Sequence, residues 1–138
     1  MAPAAYDTLS RFFENTETSA KDYDLILTGD LGYEGSEILK DLMTEAKYDI
    51  SSVYNDCGLI IYDKSRQDVH AGGSGCGCSA SVFCGHFVKE MLLGKIGRML
   101  LVCTGALMSP TTYQLGETVI GIAHAVSMSC DVKRGTAQ

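Results

Sequence analysis

Val69-His70-Ala71-Gly72-Gly73-Ser74-Gly75-Cys76-Gly77-Cys78-Ser79-Ala80 is the stretch on which the reading of this chain turns. Glycine and cysteine dominate it, and it runs directly into the apolar segment Val82 to Leu93. Glycine serves where φ must be positive or where another backbone or a ligand comes close. A glycine-rich turn entering a helix also exposes N–H groups that can hold an anion. Two readings follow: a ligand cradle, or a tight turn packed against a sheet.

Downstream, Ala80, Phe83, Cys84, Phe87, Val88, Met91 and Leu92 recur at helical spacing, and Gly94 stands where a C-terminal glycine ends a helix. Apolar residues nearly encircle the first half of this helix, which predicts a central position with Cys84 in the core. The uninterrupted run Met99-Leu100-Leu101-Val102-Cys103 predicts an inner strand. Ile122 to Met128 alternates, with Ile122, His124, Val126 and Met128 on one face and Ala123, Ala125 and Ser127 on the other, and is expected to pair with it. Between them, Gly105 to Val119 reads as a long polar connection, the kind of segment that often carries function.

Upstream, Ala5, Leu9, Phe12 and Phe13 give Met1 to Thr16 one apolar helical face, and Pro3 suits its first turn. Leu25-Ile26-Leu27-Thr28, ended by Gly29-Asp30, reads as a buried strand. Ser36 to Ala46 is again helical, with Glu37, Asp41 and Glu45 as a solvated acidic stripe. Tyr48 to Asn55 reads as a loop, Cys57 to Tyr62 as a further strand, and Asp131 to Gln138 as a polar tail. This order of elements predicts one α/β domain of three layers, α/β/α, around a mixed central sheet.

Composition bounds the rest. The 138 residues make one domain, with 46% hydrophobic residues and a mean hydropathy of +0.07 to build a core. Net charge is −6 and no basic stripe is present, which argues against nucleic acid as a partner. No apolar run reaches the ~20 residues that span a bilayer, and no basic-then-apolar leader opens the chain. The six cysteines fall mostly in segments that read as core, so they are expected to be reduced thiols rather than a disulfide framework. Cys76-x-Cys78-x5-Cys84-x-His86 has the look of a zinc set, but Cys84 and His86 lie two apart on a helix and point in different directions.

Tyr23 to Gly32, Asp68 to Ser79, Thr104 to Pro110 and Gly121 to Ser127 closely resemble the C-terminal half of the stage V sporulation protein AD family, in the thiolase-like superfamily. The Gly-Gly-Ser-Gly-Cys-Gly-Cys-Ser run is the most specific part of the likeness. It implies a C-terminal thiolase-like half-domain over residues 1–138, lacking its first strand and the N-terminal half. It implies further a non-enzymatic component of the SpoVA system, which binds dipicolinic acid or its calcium chelate for uptake into the developing spore. Other SpoVA proteins are the expected partners. The expected location is the cytoplasm or forespore, peripheral to the inner spore membrane and reaching it only through those partners. A lone half exposes a sheet edge and the apolar surface that meets its twin, so self-association or pairing with the missing half is expected.

In thiolases the second half supplies a His in a Gly-His-Pro turn and a Cys before a glycine turn. Here Gly75-Cys76 stands where that His-Pro is expected, and Cys103-Thr104-Gly105 resembles the second Cys position. Without the imidazole the pairing of Cys with a base is broken. His124 is either a substitute for it or a packed core residue. For dipicolinate, the N–H groups of Gly73, Ser74, Gly75, Cys76 and Gly77 are candidate donors to a carboxylate. Glu117 and the carbonyls of Ser109 to Gly116 are candidate oxygens for Ca²⁺ arriving with the ligand, or Glu117 is plain surface. No resident cofactor is expected. Two other functions stay open: a condensing enzyme or acyltransferase of the superfamily, and a structural interaction module without a ligand.

Overall fold

The computed structural model describes residues 1–73, 75–107 and 109–130. Ser74, Met108 and the expected tail from Asp131 lie outside the described residues. The elements run α1 (Ala2–Thr16), β1 (Leu25–Thr28), α2 (Gly32–Glu45), β2 (Tyr54–Asp56), α3 (Cys57–Ile60), α4 (Cys78–Val82), a π-helical turn (Phe83–Phe87), α5 (Val88–Leu92), β3 (Arg98–Leu107), α6 (Pro110–Gln114) and β4 (Ile120–Ser129).

The sheet has the order β2-β1-β3-β4. β1 is parallel to β2 and to β3, with Leu27 opposite both Asn55 and Leu101, while β4 runs antiparallel to β3 from Arg98↔Ser129 to Leu107↔Ile120. The expected mixed sheet and the pairing of the last two strands are both present. Alternation along each strand sends side chains to two cores. Ile26, Leu100 and Val102 meet Ala5, Leu9 and Phe13 of α1 and Leu39 and Met43 of α2. Leu27, Met99 and Leu101 meet Cys78, Val82, Phe87 and Met91 on the opposite side. The three-layer α/β/α arrangement follows. Thr8 Oγ1 ties α1 to the sheet by donating to the carbonyl of Ala123 at 2.9 Å.

Several expectations are corrected. Cys57 to Tyr62 is not a strand: the strand is Tyr54–Asp56, and the Asp56 carboxylate accepts the Gly58 N–H at 2.9 Å, capping a helical turn at Cys57. Tyr48 to Asn55 is accordingly not all loop. The segment from Gly105 is not all connection either, because β3 continues to Leu107 and Ser109 caps the short α6. The helix after the glycine loop is broken into three pieces and is not enclosed. Cys78, Val82, Phe87 and Met91 are buried, but Ala80, Ser81, Cys84, Gly85 and His86 face solvent. Cys84 is therefore exposed rather than core, since small and weakly apolar residues look alike to a hydropathy pattern whichever way they point. Gly94 does end the helix as expected, with φ at +71° and the Lys95 N–H donated to the carbonyl of Glu90.

The two faces of the β3–β4 pair differ. One face of β4 lays Ala123 and Ala125 under α1. On the other face the helical layer stops short, so Leu107, Ile120, Ile122 and Val126 stand 50–69% exposed.

Candidate functional site

A buried polar chain underlies the carboxyl end of β1. Asp56 is fully buried and accepts four hydrogen bonds, from Thr28 Oγ1 at 2.6 Å and from the N–H groups of Leu31, Gly32 and Gly58 at 2.9–3.0 Å. Burial pushes its carboxyl above the ordinary aspartate value, against the pull of those four donors. Tyr54 Oη sits 2.9 Å from Thr28 Oγ1 and donates to Ser36 Oγ, and burial pushes its phenol up to about 12. Asp56 thus fixes where the chain turns from β1 into α2, and with it the position of Asp30.

The glycine loop folds back over that turn. The Tyr33 N–H donates to the carbonyl of Ala71 at 2.6 Å, and the Gly73 N–H to the carbonyl of Gly58 at 3.3 Å. Asp30 Oδ2 accepts the Gly75 N–H at 2.6 Å, and Thr104 Oγ1 accepts the Asp30 N–H at 3.0 Å. Both reasons for glycine are met here: Gly72, Gly73 and Gly75 have φ of +72°, +78° and +80°, and a Cβ on Gly58 would lie 2.8 Å from Asp30 Oδ1. Gly29 is needed too, since a Cβ there would lie 3.0 Å from the Thr104 nitrogen and 3.4 Å from Ser79 Cβ.

These contacts frame a cavity of about 470 Å³ at the carboxyl ends of β1 and β3, lined by Asp30, Gly75, Cys76, Ser79, Thr104 and Ala106 among others. That volume is in the range of small-ligand sites. A second recess of about 390 Å³ shares Cys76, Ser79 and Thr104 with it and adds Phe83, Cys84 and Cys103.

The expected site residues are distributed as follows. Gly75 and Cys76 line the first cavity, Cys76 and Cys103 the second. Gly73 and Gly77 flank the loop, but the Gly73 and Gly75 N–H groups are already held by Gly58 and Asp30. Ser74 lies outside the described residues. His124 is not a packed core residue: it is exposed on β4 directly opposite Cys103, a pairing that depends on register. Glu117 is exposed on the turn after α6 and does not line the first cavity.

Three residues at or beneath the cavity escaped sequence reading: Asp30, Thr104 and Asp56. A Gly-Asp step at the end of a buried strand is the one local signal that points to Asp30. Among the described residues no group of three or more His, Cys, Asp or Glu is placed to hold a metal ion, and none of the six cysteines is in a disulfide. No helix among them is long and apolar enough to cross a membrane.

The family model described as stage V sporulation protein AD matches residues 1–129. Stage V sporulation protein AD of Bacillus subtilis (strain 168) is 51% identical over 126 residues, covering 91% of this chain and 37% of that protein. The chain thus spans little more than a third of that relative's length. A match this long and this close leaves no doubt of kinship with a group of sporulation proteins: the chain belongs to the stage V sporulation protein AD family.

Proposed function

We propose that the chain contributes the binding site for dipicolinate, taken as its calcium chelate, in a non-enzymatic step of spore dipicolinate uptake, acting with other SpoVA proteins as the C-terminal thiolase-like part of a larger unit. The observation that carries this reading is the cavity beside the glycine loop, with the Asp30 carboxylate at its wall. Asp30 would repel a free dianion, but it offers a hard oxygen to the calcium of a chelate. The Thr104 hydroxyl and the backbone at Gly105 and Ala106 supply polar positions beside apolar surface for a flat ring. This moves the calcium-facing role from Glu117, which lies outside the cavity, to Asp30. Calorimetric titration with dipicolinate, with and without Ca²⁺, tests it. Saturable binding that needs Ca²⁺ and drops at least tenfold in Asp30→Asn supports it, and Ca²⁺-independent binding or none by the folded chain overturns it.

One observation favours a second reading. Cys103 and His124 are register partners on one exposed face, a nucleophile opposite a base, which is the minimum an acyl transfer from a thioester requires. Acyl label from a CoA thioester on Cys103, lost in His124→Gln, would decide for that reading.

A further inference from the structure

We propose that Cys76 and Cys103 form a redox-active dithiol, which reacts with a low-molecular-weight disulfide and closes to an intramolecular disulfide that tethers the glycine loop to β3. The six cysteines divide by environment. Cys57 and Cys78 are buried, and burial pushes the Cys57 thiol up to about 12, so it stays protonated and closed off. Cys76 and Cys103 are exposed, and both line the same recess.

Their chain neighbours also come together. Cys103 shares with Leu101 the strand face that meets α4, and its peptide neighbour Thr104 and Ser79 of α4 both lie beside Gly29. The Thr104 nitrogen and Ser79 Cβ both fall within 3.4 Å of the place a Gly29 Cβ would occupy. Cys76 comes one turn before Ser79. A disulfide needs Cα atoms about 4.4–6.8 Å apart, and the loop can supply the adjustment. Gly75 and Gly77 flank Cys76, and a Cβ on either would meet nothing within 4 Å. Cys84 also lines the recess, but its backbone is held in the π-helical turn, whereas Cys76 lies between two glycines. His124 stands opposite Cys103 in the strand register.

The chemistry balances as ordinary thiol–disulfide exchange. One thiolate attacks a sulfur of RSSR, forming protein–S–S–R and releasing RS⁻. The second thiolate attacks the protein sulfur of that mixed disulfide, forming the Cys76–Cys103 bond and releasing a second RS⁻. The two thiol protons end on two RSH, and the small disulfide takes up the two electrons.

The test is exposure of the folded chain to oxidised glutathione, quenching by alkylation and disulfide mapping by mass spectrometry, with no dipicolinate present. The expected product is the Cys76–Cys103 disulfide, unchanged in Cys84→Ser. Cys76→Ser and Cys103→Ser are expected to stop at a mixed disulfide with glutathione, and the guanidinium-unfolded chain to lose the pairing preference. Phenylarsine oxide, which bridges two nearby thiols with loss of water, gives an independent readout and is expected to bind the wild type and Cys84→Ser alone. A folded wild type that yields only mixed disulfides, or a disulfide to Cys84, overturns the proposal.

Discussion

The first sixty-eight residues and the segment from Val69 to Cys130 are built on different terms. In the first, α1, α2 and β1 close over a core in which Leu9, Ile26, Leu39 and Met43 are fully buried, and charged side chains cover the outside. In the second, no Asp, Glu, Lys or Arg occurs from Val69 to Val88, and Glu117 alone from Met99 to Cys130. This is also where three thiols and the two cavities stand open and where a β-strand presents Ile120, Ile122 and Val126 to solvent. A soluble surface strand ordinarily carries charge that blocks unwanted pairing. The first region is closed on its outer side, whereas the second, although its β3 runs through both cores, keeps surface available for a ligand or a neighbour.

Two aspartates give the sharpest way to break the contrast: Asp56, held wholly within the first region, and Asp30, which reaches from it to Gly75 in the second. Asp56→Ala strands four donors in a dry site and should cost about 3–5 kcal/mol, read as a lower urea midpoint at unchanged slope. Asp30→Ala gives up the Gly75 N–H at the cavity wall, among other contacts, and should cost less, about 1–2 kcal/mol. Equal losses would erase the distinction between framework and site.

Packing sharpens it next. Leu39→Ala, in the closed core, should cost about 2–4 kcal/mol, whereas Ile122→Ala on the bare face should stay within about 0.5 kcal/mol. Ile122→Glu should leave stability similarly unmoved while lowering self-association in sedimentation velocity. A large loss of stability for either Ile122 variant would mean that this face is packed.

A smaller effect comes from pH. Tyr54 holds its proton up to about 12 in the folded chain against 10.0 for an ordinary tyrosine. The folded state therefore binds the proton more tightly, and the stability this contributes is complete below pH 10 and is lost as pH rises toward 12. The loss amounts to about 2–3 kcal/mol. Denaturant titrations across that window should show the fall, and Tyr54→Phe should flatten it. Asp56 follows the same sign at acid pH: its carboxyl is raised, so its contribution is present in acid and declines as pH climbs above the ordinary aspartate value.

The contrast also explains what could be read from sequence. α1, β1, β3 and β4 were legible because apolar periodicity or an unbroken apolar run marks each of them, and the two parities of β4 were placed correctly. Which parity faces solvent was not legible, because it depends on how far the helical layer extends. Cys57 to Tyr62 misled because a short apolar run has no period of its own, and the Asp56 cap decided its form. The glycine loop announced close approach but not its partner, since the Asp30 that accepts from Gly75 lies 45 residues earlier in the chain. The opposition of Cys103 and His124 was invisible for the same reason: register is a property of the pair of strands, not of either one.

The most direct test of the account is amide NMR mapping of the ¹⁵N-labelled chain as calcium dipicolinate is added. Shifts concentrated at Asp30, Gly73 to Gly77, Ser79 and Thr104 to Ala106, with Ile120 to Val126 still, are the predicted result. Shifts centred on the bare β4 face, or a folded spectrum that does not move, would contradict it.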